Sequence, residues 1–271
     1  MAKTAVSSSE QSHPHRIHAK RSSHQTLTVF CDFDGPIVDV SDRYYSTYQQ
    51  GLDEVQTVYQ AEGITLPLHT LSKTQFWQMK QERTPDPEIA LRSGLRGQQI
   101  ELFLQRVRQI VNQPDLLHQD QLQPGVRGAL SLLHAQGVRL FLVTLRCQQQ
   151  AEQLLSQHNL THFFSGIHGA NDDQAAYFNQ ADHKTRLLET AIESWQANTF
   201  SATPYNAASS AWMIGDTEAD ILAGQATGIP TIALTCGIRS QTYLQRFQPT
   251  KIHTDLFTAV HYLMQSKQKA A

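Results

Sequence analysis

Thr26–Phe33 (TLTVFCDF) is a short apolar run rich in β-formers, and it predicts a buried strand. Asp34-Gly35-Pro36 breaks it. The period then changes. Tyr45, Tyr48, Leu52, Val55 and Tyr59 step by three and four, which predicts a helix over Ser41–Glu62 closed by Gly63. Pro67, Pro85, Pro87, Gly94 and Gly97 punctuate the next stretch. A second helical face follows in Ile100, Phe103, Leu104, Val107 and Ile110, over Gln98–Asn112. No strand pattern interrupts residues 42–118, so that region reads as all-helical.

From Pro124 onward strand and helix patterns alternate. Strands are expected at Val138–Val143, Phe163–His168, Ala211–Ile214 and Pro230–Leu234. Helices are expected at Val126–Gln136, Gln148–His158, Asp182–Gln196, Thr217–Thr227, Gln241–Phe247 and Asp255–Ser266. Such alternation predicts a parallel sheet with helices on both faces. The expected fold is therefore α/β: a Rossmann-like parallel-sheet core, with an all-helical cap inserted after strand one. Residues 26–41 and 119–271 form the core, 42–118 the cap, and 1–25 a disordered tail. The polar stretch Asn198–Ser210 reads as a loop.

Hydrophobic residues make up 40% of the 271, enough for a sizeable core. A formal net charge of -2 shows no basic excess, which argues against general nucleic-acid binding. Cys31, Cys147 and Cys236 are odd in number and form no CxxC pair, which points to a reducing, cytoplasmic setting. No run approaches the roughly 18–20 apolar residues that span a bilayer, so no membrane partner is expected. The tail carries His13, His15, His18 and His24 without a surrounding pattern and reads as solvated.

The candidate chemistry lies at strand ends. Ligands of open parallel sheets sit beyond the carboxyl ends of the strands. Asp32 and Asp34 end the first expected strand, Thr144 ends VRLFLV, and Asp216 follows Gly215 after AWMI. Asp220 comes one helical turn after Asp216 and can face the same place. Crowded carboxylates resist joint ionisation. A hard divalent cation resolves that, and oxygen ligands with a substrate phosphate suit Mg²⁺. Phosphoryl transfer also calls for fixed positive charge and N–H donors. Lys184, opening KTRLLETAI, is the best-placed lysine, and the backbone N–H of Leu145 is a candidate donor.

Taken together, these stretches resemble the haloacid dehalogenase superfamily of aspartyl phosphatases. DFDGPIVD (32–39) is similar to its first motif, Thr144 in FLVTLR to its second, Lys184 to its third, and GDTEAD (215–220) to its fourth. PGVRGALSLLHAQGVRLFLVT (124–144) and GDTEADILAGQATGIPTIALTCG (215–237) resemble its phosphoglycolate-phosphatase-like branch, which lies near the β-phosphoglucomutase-like enzymes. The resemblance implies a Mg²⁺-dependent phosphatase that hydrolyses a small phosphorylated metabolite through an aspartyl-phosphate. Asp32 would be the nucleophile, and Asp34 would protonate the leaving oxygen and later activate water. Thr144, Leu145 and Lys184 would hold phosphoryl oxygens, and Asp32, Asp34, Asp216 and Asp220 would hold the metal. On that reading the carboxyl that keeps its proton is Asp34 rather than Asp32.

LRSGLRG (91–97) resembles the specificity loop of capped relatives, which makes Arg96, and after it Arg92, candidates for substrate contact. Arg146 is a further candidate near the phosphate pocket. A sugar-phosphate mutase is the alternative within enzymes. Those mutases place a cap histidine ten residues after the second aspartate, where this chain has Tyr44. A dehalogenase would not need Asp34 or the full acidic set. The reading outside enzymes is a non-catalytic binding or regulatory module that keeps the fold.

Overall fold

The structure is a computed structural model that describes residues 27–197 and 211–270. The expected tail and the whole of the expected loop at 198–210 lie outside the described residues. Strand β1 (Thr28–Cys31) is buried at every position, as the unbroken apolar run requires for a central strand. It pairs in parallel with β4 (Arg139–Cys147) on one side and β6 (Ala211–Gly215) on the other. With β5 (Gly166–Ala170), β7 (Thr231–Leu234) and β8 (Lys251–His253), they form a six-stranded parallel sheet in the order β5-β4-β1-β6-β7-β8.

Side chains along β1 alternate between two cores, as a period of two dictates. Val29 and Cys31 join the layer formed by α6 (Val126–Ala135), α7 (Gln148–Gln157) and α12 (Leu256–Ala270). Phe30 joins the opposite layer, under α9 (Ala181–Ala197) and α10 (Glu218–Ala226). There its ring stacks on Phe141 at 5.5 Å and meets Trp195 edge-on at 6.1 Å. Phe30→Ala is expected to lower unfolding free energy by about 3–5 kcal/mol, measured by urea denaturation. A loss under ~1 kcal/mol would mean that the site collapses around the missing ring.

A helical insertion follows β1: α1 (Ser41–Ala61), α2 (Lys73–Gln81), α3 (Asp86–Arg92), α4 (Gln98–Ile110) and α5 (Pro114–Leu117). It has its own apolar core, with Tyr48, Leu52, Phe76, Ile89 and Phe103 at the centre. Helices α1 and α4 cross closely at Gly51, where a Cβ would stand 3.0 Å from Phe103 and Val107. Periodicity located α1 and α4 but not α2 and α3, which are short. A Ser72–Gln75 capping box starts α2, and proline in the first turn starts α3. The sequence reading also missed a two-stranded ribbon at the roots of the insertion. There β2 (Val38–Asp39) pairs antiparallel with β3 (Gln121–Leu122), Val38 opposite Leu122. After β5, the short α8 (Ala175–Phe178) packs Tyr177 against the insertion and hydrogen-bonds its hydroxyl to Asp86 at 2.7 Å. The chain closes with α11 (Gln241–Gln245) between β7 and β8, and α12 after β8.

Candidate active site

Sheet register sets the site. Cys31 lies opposite Leu142 of β4 and Ile214 of β6, which brings Asp32, Thr144 and Asp216 to nearly one level, although β4 itself runs on to Cys147 and Thr144 lies inside it rather than at its expected end. Asp32, Thr144 and Asp216 therefore emerge side by side where the strand order reverses. The Asp32 amide donates to the Ile214 carbonyl at 2.9 Å, continuing the sheet to Asp32.

Asp32, Asp216 and Asp220 are all buried, and each offers a carboxylate oxygen within 4.8 Å of the others. Lys184, only 1% exposed, reaches in from α9. Its Nζ stands 2.8 Å from Asp32 Oδ1 and 2.7 Å from Asp220 Oδ1. Asp220 also caps its own helix: Oδ2 accepts from the Thr217 amide at 3.0 Å and the Thr217 hydroxyl at 2.7 Å. Helix capping and site-facing thus coexist in one side chain. Asp216 Oδ2 accepts the Ile238 amide at 2.7 Å, while its Oδ1 is buried without a hydrogen-bond partner.

Burial pushes Asp32 up to about 7, even though Lys184 pulls the other way. Burial, reinforced by Asp32 and Asp220, also drives Asp216 well above the usual carboxylate range. Burial opposes the charge on Lys184, but Asp220 and Asp32 outweigh it and hold the ammonium protonated. The carboxyl raised by its surroundings is thus Asp32, contrary to the expectation that placed the held proton on Asp34 alone. Asp34 instead meets two guanidinium groups: Arg43 Nη2 at 3.2 Å from Oδ2 and Arg146 Nε at 2.9 Å from Oδ1.

Three crowded carboxylates facing one lysine leave excess negative charge, and a buried, unpartnered carboxylate oxygen marks where a cation is wanted. The donor set therefore fits a hard divalent ion such as Mg²⁺. Space there is tight. Gly35 sits at φ +93°, and a Cβ on it would lie 2.2 Å from Asp216 Cγ. Gly35→Ala is expected to cost about 1–3 kcal/mol by overpacking and to displace Asp216. Unchanged denaturation and unchanged Mg²⁺ binding by calorimetry would contradict this.

The cavity above these groups is lined by Asp32, Asp34, Thr144, Leu145, Arg146 and Asp216 from the core. Tyr44, Lys80 and Arg83 face it from the insertion, Tyr177 from α8, and Arg239 from the segment between β7 and α11. Arg92 and Arg96, the candidates for substrate contact, are not brought there. Arg92 pairs with Glu88 at 2.6 Å, and Arg96 Nη1 donates to the Leu91 and Leu95 carbonyls at 2.8 and 2.7 Å. The glycine-flanked loop folds back on α3 instead of over the cavity, and the insertion's basic groups at the cavity, Lys80 and Arg83, come from the end of α2 and the turn after it. Lys80 pairs with Asp86 at 2.8 Å. Glu218 takes both Arg83, at 3.1 Å, and the buried Arg239, at 2.8 Å.

Sequence reasoning also missed Arg43 and Asp120. A signal for Arg43 was present: Arg43, Thr47, Gly51 and Val55 step by four and are all buried, so an arginine stands on a buried stripe of α1. Nothing local marked Asp120.

A parallel-sheet core, an acidic, lysine-bridged centre at its switch point and a helical insertion over it define the class: an α/β enzyme with a capped site. The chain belongs to the haloacid dehalogenase-like hydrolase family, whose model matches residues 29–234. It is 34% identical over 128 residues to a phosphoglycolate phosphatase of Aliivibrio fischeri, spanning 47% of this chain and 50% of that one. A phosphoglycolate phosphatase of Vibrio cholerae is 27% identical over 188 residues, 69% of this chain and 74% of that one. A pyrophosphatase of Halalkalibacterium halodurans is 29% identical over 135 residues, 49% of this chain and 56% of that one. The chain thus spans about half to three quarters of these relatives' lengths. Among solved structures, a haloacid dehalogenase-like hydrolase from Streptococcus pneumoniae matches 88% of this chain and 98% of its own, with a TM-score of 0.61 and 24% identity. A phosphatase structure from Clostridium difficile covers the same shares with a TM-score of 0.64 and 17% identity. At those identities the structural likeness concerns the fold. No helix among the described residues is long and apolar enough to cross a membrane.

Proposed function

We propose that the chain is a Mg²⁺-dependent phosphatase that hydrolyses a small phosphorylated metabolite through an aspartyl-phosphate on Asp32. The observation that carries this is the convergence of Asp32, Asp216 and Asp220 within 4.8 Å, with Lys184 bridging two of them. Asp32 and Asp216, with an oxygen of Asp220 and the Asp34 backbone carbonyl, would hold Mg²⁺. When bound, the ion supplies charge neutralisation for the phosphoryl oxygens.

The remaining work falls to the chain. An Asp32 carboxylate oxygen bonds to phosphorus as the phosphorus–oxygen bond to the leaving group breaks. Asp34 gives its proton to that leaving oxygen. Water then attacks the phosphorus, Asp34 takes the water's proton, and Asp32 is released with inorganic phosphate. Splitting one displacement into two lowers each barrier. Thr144, the Leu145 amide and Lys184 hold the phosphoryl oxygens, and closure by the helical insertion excludes water.

Similarity to phosphoglycolate phosphatases supports a small acidic substrate. So do the cations at the cavity, where Lys80, Arg83 and Arg239 outnumber Asp86 and Glu218. Tyr44 stands at the cavity where a mutase would carry histidine, which disfavours the mutase alternative. The test is release of phosphate from an aryl phosphate, expected with Mg²⁺ and abolished by a chelator. Folded, Mg²⁺-supplied protein without any turnover on aryl and small alkyl phosphates would sink the proposal and favour the binding-module reading.

A further inference from the structure

Arg43 lies on the first turn of α1, Arg146 at the end of β4, and Asp120 at the return from the insertion, just before β3. Their side chains are 2%, 3% and 0% exposed. Arg43 Nε donates to Asp120 Oδ1 at 2.8 Å, and Arg146 Nη2 donates to Asp120 Oδ2. Arg43 Nη1 donates further to the Val111 carbonyl at 3.2 Å and to Asn112 Oδ1 at 3.1 Å. Each arginine then meets one oxygen of Asp34, and Asp34 faces the cavity.

We propose that Arg43 and Arg146, locked together by Asp120, are positioning residues that fix the plane of the Asp34 carboxyl against the scissile oxygen. The inference rests on the phosphatase reading above and deepens it.

Three features carry it. One guanidinium on one oxygen would leave a carboxyl free to rotate. Arg43 hydrogen-bonds one oxygen and the Arg146 guanidinium stands against the other as an ion pair, so two groups from different elements restrict that freedom. Both arginines are also committed elsewhere, each to Asp120 and Arg43 to the Val111 carbonyl and Asn112 besides, which argues against a substrate-binding role. Finally, Asp120 does not line the cavity, yet both arginines depend on it, and buried charges are retained only when so paired. The network spans the β2–β3 roots of the insertion, so the carboxyl's orientation is tied to where the insertion joins the core.

A donor that is out of line matters most when the leaving oxygen needs its proton. An alkoxide needs it, and a stabilised phenolate barely does. The test measures kcat and KM for an aryl phosphate and a primary alkyl phosphate, in full-length protein at saturating Mg²⁺, for Arg43→Lys and Arg146→Lys. The alkyl-to-aryl ratio of kcat is expected to fall about tenfold or more, within the range of general acid catalysis, with each KM shifting less than about twofold. An unchanged ratio, with both rates falling equally, overturns the proposal in favour of a merely structural role. A raised KM with kcat kept overturns it in favour of substrate binding. Thermal melts establish folding, and the two substitutions sit on separate elements, so either folded variant decides the matter. Turnover by the unaltered protein confined to the aryl ester overturns the clamp alone. No turnover of either ester overturns the phosphatase reading with it.

Discussion

Asp32→Asn is expected to abolish turnover, with a loss on the order of 10⁴-fold or more, as removal of a covalent nucleophile does. The carboxamide keeps the shape of the side chain but cannot form the acyl phosphate. Stability should not suffer. Burial, with a smaller push from Asp220, already raises the Asp32 carboxyl to about 7 against the pull of Lys184. Removing a charge from that cluster offsets the lost Lys184 contact. The measurement pairs steady-state rates with acid quenching and peptide mapping. Phosphate should be found on the Asp32 peptide of the unaltered protein and be absent from the variant. Retained turnover, or label on another residue, would refute the assignment of the nucleophile.

Lys184→Met should be the most damaging change to stability in the site. The ammonium is 1% exposed and stands within 2.8 Å of both Asp32 and Asp220. Its removal leaves buried carboxylates without a counter-charge, a change that costs about 3–5 kcal/mol. Turnover should also fall ~10²–10³-fold, the scale for losing one electrostatic contact to the transition state. Mg²⁺ should restore part of the stability, because a cation bound only by the folded state adds about 2.7 kcal/mol at a hundredfold excess over its Kd. Urea denaturation with and without Mg²⁺ reads both effects. A loss under ~1 kcal/mol in the absence of Mg²⁺ would show that the carboxyls share protons and do not rely on the lysine.

The candidate site was legible in uneven degree. Asp32 and Asp216 could be placed because each directly follows a buried apolar run, and strand ends of a parallel sheet converge. Lys184 was chosen as the lysine opening KTRLLETAI and then matched the family's third motif, although no local pattern separates it from a surface lysine. Arg92 and Arg96 looked like substrate ligands because the loop carrying them has glycines on both sides. The folded loop turns its arginines onto Glu88 and its own carbonyls instead.

The alternation of β and α periods determined the parallel sheet and the helical insertion, because burial on one or two faces writes itself into local spacing, while the family was marked by the motifs at 32–39, 144, 184 and 215–220. The ribbon at the roots of the insertion, the cations at the cavity and the grip on Asp34 were decided by tertiary structure. Arg43 and Asp120 are 77 residues apart, and Arg146 and Asp120 are 26 apart. Buried charge survives only where a partner of opposite sign arrives from elsewhere in the chain, and no periodicity records which partner that is.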